Sequence, residues 1–224
     1  MRITTISDTH TKHMELNGFL PGGDILIHAG DISNRGSNID IEDFCEWFDS
    51  IDNYNTKVFI AGNHDFGFEK RAEEISQIVN SYKWIHYLED NWVTIDGIKI
   101  WGSPWQPEFY DWAFNLPRQG VELQDKWNMI DDDTDILITH GPAWGYVDKV
   151  IGGTENLGCE LLVQRIKEIK PKIHLCGHIH SGHGYIFDGT THFINGSVLS
   201  ERYEYYNKPL TADWNPETNE LIFL

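Results

Sequence analysis

Five apolar runs of strand character punctuate the chain, and each leads into a small cluster of aspartate, histidine, asparagine or glycine. Asp8-Thr9-His10 follows RITTIS, Gly30-Asp31 follows DILIHA, and Gly62-Asn63-His64-Asp65 follows KVFIA. Thr139-His140 follows DILI, and Gly177-His178-Ile179-His180 follows KIHLC. The runs at residues 3–6, 25–28, 58–61, 136–139 and 173–176 are predicted strands, and segments of helical period lie between them. Ile41, Phe44, Phe48 and Ile51 form one such segment, and Ala72, Ile75 and Val79 form another. A later helix carries Leu157, Leu161, Ile166 and Ile169 and stops before Pro171. Strands alternating with helices predict βαβ units and a largely parallel sheet. Asp96-Gly97 and Asp188-Gly189 each separate two strand-like runs, a hairpin signal because both turn positions need φ > 0. LTADW and LIFL around Asn215-Pro216 suggest a third hairpin. The expectation is one α/β domain over residues 1–224, with two stacked sheets and helices outside.

Charge restricts the partners. The formal net charge is −18, and no basic stripe offsets it, so binding to duplex nucleic acid through Lys and Arg is not expected. If the chain handles phosphate, the positive charge must come from elsewhere than its side chains. Hydrophobic residues make up 40 % of the chain, which argues against disorder. No apolar run approaches the ~20 residues of a membrane span, and RITTIS reads as a strand rather than a signal peptide. Cys45, Cys159 and Cys176 are odd in number and unclustered, so no disulfide framework is expected. The chain reads as a cytoplasmic globule.

In open α/β sheets, ligands bind outside the carboxyl ends of the strands, so five strand-end clusters can converge on one crevice. In extended chain, residues i and i+2 project to one side, which would pair Asp8 with His10 and His178 with His180. Imidazoles, carboxylates and an amide suit borderline divalent metals such as Mn²⁺, Fe²⁺ and Zn²⁺. Glycines before Asp31, Asn63 and His178 permit sharp turns and close backbone approach. Any one cluster is ordinary turn chemistry. The ordered set of five is what argues for a metal site. His28, His86, His174 and His192 lack such context and read as structural, while His13 and His183 stay open.

The order D-x-H, G-D, G-N-H-D, T-H, G-H-x-H resembles the calcineurin-like metallophosphoesterase superfamily. WGSPWQPEFYDWAFNLPR, LQDKWNMI, DILITHGPAWGYVD and KIHLCGHIHSGHGYIFDGTTHFING look like the vertebrate brain metallophosphoesterase-domain family and its microbial relatives, over about residues 1–200. The resemblance implies a two-sheet αββα sandwich around a dinuclear metal site. One ion would take Asp8, His10, Asp31 and His180; the other would take Asp31, Asn63, His140 and His178. Manganese is the expected metal, with iron, zinc, nickel or magnesium as alternatives. His64 would sit beside the phosphate as a catalytic residue. Some vertebrate members carry Gly in place of His178, which weakens their second site; here the histidine is present, so both ions are expected. Many relatives have Glu where this chain has Asp65, and either carboxylate could orient His64 or a metal ligand.

The expected activity is hydrolysis of small phosphodiesters, cyclic nucleotides among them, through in-line attack of a metal-bridging hydroxide. Asp31 and His64 are the catalytic candidates. A phosphomonoesterase or protein phosphatase on the same core is the alternative, and a binding module without catalysis is a third reading. Asn63, His64 and Arg35 are the candidate substrate contacts, Arg35 because G-D-x-x-x-R-G is the form in which Ser/Thr phosphatases grip phosphate. An exposed loop arginine explains Arg35 equally well. The aromatic stretch from Trp101 to Phe114 reads mainly as packing, with one or two rings free to face substrate, and Asn115 and Arg118 as rim residues. Oligomeric state is not legible.

Overall fold

In the computed structural model, which describes residues 1–224, three successive parallel crossovers, the last two through α-helices, build most of the first sheet. Strands β1 (Arg2–Ile6), β2 (Gly23–Ala29), β3 (Tyr54–Ile60) and β4 (Ile85–Tyr87) lie side by side and parallel. Helix α1 (Asn38–Ser50) connects β2 to β3, while α2 (Phe66–Lys70) and α3 (Ala72–Val79) lead to β4. Ser37 starts α1 by accepting the Asp40 N–H, an N-cap that satisfies one of the first-turn donors.

The second sheet opens with the antiparallel hairpin β5 (Asn91–Ile95) and β6 (Ile98–Ser103), which turns at Asp96 and Gly97, both with positive φ as predicted. Short strands β7 (Gln106–Pro107) and β8 (Asn115–Leu116) pair with each other before α4 (Val121–Asn128). Strand β9 (Ile136–Thr139) is parallel to β6, and α5 (Glu160–Ile169) carries the chain to β10 (Ile173–Cys176), parallel to β9. Left-handed Lys170 ends α5 just before Pro171, which matches the predicted stop. Strands β11 (Gly184–Phe187) and β12 (His192–Asn195) complete an order of β11-β12-β10-β9-β6-β5. The last hairpin, β13 (Leu210–Asn215) and β14 (Glu220–Phe223), returns to the first sheet, with β13 antiparallel to β1.

Side-chain alternation decides the layers. Val58 and Ile60 on β3 point at the second sheet and meet Ile100, Ile136, Ile138 and Leu175 in one buried cluster. Phe59 between them points the other way, against Phe44 and Phe48 of α1. On the far side, Trp101, Leu137 and Phe193 of the second sheet pack on Leu123 and Trp127 of α4 and Leu162 and Ile166 of α5. Each such side chain contributes about 1.5–3 kcal/mol of burial free energy, so the four-layer αββα arrangement is what the pattern stabilises. No helix is long and apolar enough to cross a membrane, and all three cysteines are free and buried.

The two sheets meet at the carboxyl ends of their parallel strands. Ser7 and Ser197 form a parallel bridge, with Ser7 N–H donating to Gly196 O at 2.9 Å and Val198 N–H to Ser7 O at 3.1 Å. Gly177 N–H likewise donates to His140 O, and Asp8 N–H to Gly30 O. These ties, with the His64 N–H donating to Asp31 Oδ1, bring the segments after β1, β2, β3, β9 and β10 to one crevice.

Candidate metal centre and active site

Seven predicted side chains converge in that crevice: Asp8, His10, Asp31, Asn63, His140, His178 and His180. Asp31 stands in the middle. Its Oδ2 lies 3.6 Å from His10 Nε2, and its Oδ1 lies 3.4 Å from His140 Nε2, so its two oxygens face opposite groups. On one side, His180 Nε2 is 3.4 Å from Asp8 Oδ1 and 3.4 Å from His10 Nε2. On the other, Asn63 Oδ1 is 2.9 Å from His140 Nε2 and 2.7 Å from His178 Nδ1. The ligand atoms of Asp8, His10 and His180 lie within 4.8 Å of one another, as do those of Asp8, Asp31 and His140.

Backbone turns, not strand alternation, aim these groups. Asp8, His10, Asp31 and His178 all have φ between 41° and 67°, a left-handed conformation uncommon for residues with a side chain. The expected pairing through extended chain therefore does not describe either motif. His178 and His180 in fact diverge, one toward Asn63 and one toward Asp8. Such strain persists only where the surroundings hold it. Two glycines make room: a Cβ on Gly62 would strike Asp31 Oδ1, and one on Gly177 would strike Asp8 Oδ2 and Ser7 Oγ.

Three of these groups, His140, His180 and Asp8, are also held from behind, whereas the buried His10 Nδ1 has no partner. His140 Nδ1 donates to Ala29 O at 2.9 Å and His180 Nδ1 to Ser200 O at 2.9 Å, which fixes the tautomer and leaves Nε2 facing the carboxylates. Asp8 accepts from Ser7 Oγ, Ser197 Oγ and the His178 N–H. His28 bonds Thr9 Oγ1 and His174 bonds Thr139 Oγ1, so both play the structural part expected of them. His13 lies apart, against Asp43, and His183 contacts Lys208 O.

Burial opposes charge throughout, and the pattern of winners follows the partners. Burial alone would raise Asp8, but the hydrogen bond to His180 and the surrounding imidazoles hold it well below the usual carboxylate range. Asp31 is lowered in the same way, chiefly by His140. Burial would depress His140 and His180, yet Asp31 and Asp8 respectively push them up to about 9. His10 and His178 lack so close a partner, and burial drops them to about 4 and about 3. Two carboxylates thus hold two imidazolium groups at positions where a cation could take their place. The donor set of carboxylate, imidazole and amide oxygens, pre-aimed and without thiolate, fits a pair of borderline divalent ions.

His64 borders this cluster. Its backbone N–H donates to Asp31 Oδ1 at 2.8 Å, its Nδ1 to Asn34 O at 3.0 Å, and its Nε2 lies 3.9 Å from Asp31 Oδ2. Trp112 stacks on the ring at 4.0 Å. A cavity of ≈ 290 Å³ opens over Asp31, Asn63, His64, His178 and His180. Phe109, Arg118 and Tyr203 are among its other walls. Arg35 is not: its guanidinium lies over Trp112 at 4.5 Å. Asn115 braces the loop through Phe109 O and Tyr110 O. Trp101 is core, and Trp105 donates to Asp90. Sequence reasoning missed Ser7, Ser197 and Tyr203. A serine or tyrosine outside a motif carries no local sign that the fold will deliver it to a distant strand end.

The family model for calcineurin-like phosphoesterases matches residues 1–182. The chain belongs to the calcineurin-like phosphoesterase family. It is 39 % identical over 233 residues to human metallophosphoesterase domain-containing protein 1, covering 95 % of this chain and 70 % of that protein. A nematode relative, the UPF0046 protein T07D4.2 of Caenorhabditis elegans, is 35 % identical over 95 % of this chain and 60 % of its own length. Among solved structures, TT1561 of Thermus thermophilus shares the fold with a TM-score of 0.70 at 15 % identity, covering 99 % of this chain and 97 % of that one. As a calcineurin-like phosphoesterase, the protein falls among metal-dependent phosphoester hydrolases, and the expected αββα sandwich is the observed one.

Proposed function

We propose that this calcineurin-like phosphoesterase is a phosphodiesterase acting on small substrates, with 2′,3′- or 3′,5′-cyclic nucleotides as the leading class. The cavity lining carries the argument. Its one guanidinium, Arg118, is already engaged by Gly158 O at 2.7 Å, Glu160 Oε2 at 2.9 Å and Leu157 O at 3.0 Å. Glu108 and Glu201 also line the cavity. A monoester dianion would find no free cationic side chain for its second charge. A diester carries one charge, and its second substituent can lie against Pro107, Phe109, Pro142, Val150 and Leu157.

Asp8, His10, Asp31 and His180 would hold one cation, and Asp31, Asn63, His140 and His178 the other. When bound, the two ions supply Lewis-acid charge to phosphate oxygens and activate water for attack. The thiolate-free set of carboxylates, imidazoles and an amide is one that manganese accepts, as do iron and zinc. His64 acts on the leaving side. Asn34 O holds its Nδ1 proton and Trp112 fixes its plane, so Nε2 is the atom left facing the departing ester oxygen, and in the imidazolium form it donates its proton there and returns to the neutral Nδ1–H ring. Asp31 Oδ1 holds the His64 backbone N–H, which couples ring position to the cluster centre. Three buried free cysteines suit a reducing compartment and support a cytoplasmic location.

The test compares bis(p-nitrophenyl) phosphate with p-nitrophenyl phosphate on manganese-loaded protein. The proposal expects kcat/KM to favour the diester by at least about ten-fold. A preference for the monoester would instead support the phosphatase reading.

A further inference from the structure

The matched family segment ends at residue 182, yet part of the cavity wall comes from residues 199–207. This strap is pinned at several points. Leu199 and Tyr205 form an antiparallel bridge, and Ser200 N–H donates to Glu204 O at 2.8 Å. Tyr203 N–H donates to Ser200 O at 2.8 Å, and Lys12 Nζ to Tyr203 O at 2.6 Å. Ser200 O is also the acceptor that orients His180. At the apex, Tyr203 has φ 59°, a left-handed backbone conformation that is unfavourable for an aromatic residue.

That conformation puts the Tyr203 ring over the site. Its centroid is 4.7 Å from His10, 5.4 Å from His180 and 6.2 Å from His64. The residue nevertheless remains 40 % exposed and lines the cavity. Its ring contacts on the inner side are imidazoles, and a residue held in that conformation with so much surface still open at the cavity is placed to cover what binds there. The other exposed aromatic of the wall, Phe109, stands 5.4 Å from His178, at the opposite group of ligands. Tyr203 flanks the His10 and His180 group, the side on which His64 lies.

We propose that Tyr203 is a specificity-determining residue whose ring packs against the ester substituent that leaves, next to His64. This rests on the phosphoester hydrolysis proposed above and adds which arm of the substrate the chain selects and with which residue. A flat leaving group, such as an aryl or nucleoside moiety, gains contact that a small alkyl group does not. Selection for that arm then comes from the strap rather than from the metal-ligand motifs.

The experiment uses Tyr203→Leu and Tyr203→Phe in the manganese-loaded full chain. Its substrates are bis(p-nitrophenyl) phosphate and ethyl p-nitrophenyl phosphate, which share a leaving group and differ in the retained arm. Tyr203→Leu is expected to raise KM about ten-fold with both substrates, with kcat changed less than about three-fold, while Tyr203→Phe keeps KM near wild type. Metal content measured by elemental analysis should be the same in all three proteins. A penalty seen only with the bis-aryl diester would put the ring on the retained arm and overturn the assignment. A loss of bound metal and of kcat at unchanged KM would also overturn it, since the ring would then merely prop His10 and His180. If the wild type prefers p-nitrophenyl phosphate, diester selectivity fails, and the same KM comparison on the monoester still decides the role of Tyr203.

Discussion

Asp65 grips Ser33 twice: its Oδ1 accepts the Ser33 backbone N–H at 2.9 Å and the Ser33 hydroxyl at 2.7 Å. Its Oδ2 accepts the N–H groups of Gly62 at 2.8 Å and Ile32 at 3.2 Å. One buried carboxylate therefore fastens the segment carrying Asp31 to the segment carrying Asn63 and His64. Burial, with the Asp31 charge behind it, pushes this carboxyl up to about 7 despite four donors. Asp65→Ala leaves those donors unpaired in the interior, each costing about 1–3 kcal/mol. Thermal unfolding should show a clear loss of stability, and manganese titration a weaker affinity. A variant with wild-type metal affinity would show that the two segments hold their positions without Asp65.

His64→Ala should lower kcat on bis(p-nitrophenyl) phosphate by about 100-fold or more, the usual scale for a positioned proton donor. Bound metal should be unchanged, because His64 borders the cluster without being needed to complete either ligand set. Elemental analysis beside the kinetics separates these effects. Falling metal content would make His64 a ligand instead.

Metal binding should release protons. His140 and His180 are held at about 9 by Asp31 and Asp8 against a reference value of 6.5. In the metal-free protein, the stability from these raised values is fully present below pH 6.5 and is lost as pH rises through about 9. Ligating nitrogens must be deprotonated, so manganese competes with those protons and binds more tightly as pH rises across this window. The rise in Tm on adding manganese should therefore grow from pH 6.5 toward 9. A constant or shrinking rise would contradict the ion pairs described here.

His178→Gly should mainly empty one ion position. His178 approaches Asn63 Oδ1 at 2.7 Å, while His10 and His180 lie 3.4 Å apart on the other side, against Asp31 and Asp8. Metal content should fall by about one ion per chain with the remainder retained. Equal content in variant and wild type would remove His178 from the ligand set.

Much of this was legible in the chain because the same residues encode both element and site. Apolar runs that end in Asp8, Asp31, Asn63, His140 and His178 had to be strands, and their carboxyl ends had to meet. Asp96-Gly97 specified its own turn. The boundaries slipped where polarity hides a strand: β3 begins at Tyr54, four residues before the apolar run, because Thr56 and the buried Tyr54 continue the ladder against Ile25 and Gly23 across polar Asn55 and Lys57. Leu157 has helical spacing but precedes α5, whose N-cap is Cys159. Strand alternation was the wrong account of the D-x-H and H-x-H motifs, since left-handed turns at Asp8, His10 and His178 aim those side chains. Arg35 sits on Trp112 instead of lining the cavity, a contact between residues far apart in sequence that no local motif could report. Ser197 and Tyr203 were invisible for the same reason.

A dinuclear centre here would draw on Asp31 for both ions, and counting manganese bound by wild type and Asp31→Asn tests that directly. Elemental analysis after saturation and removal of free metal should give about two ions per chain in the wild type and fewer than about one in the variant. A wild type that retains one ion or none, or a variant that still holds two, would contradict a shared centre at Asp31.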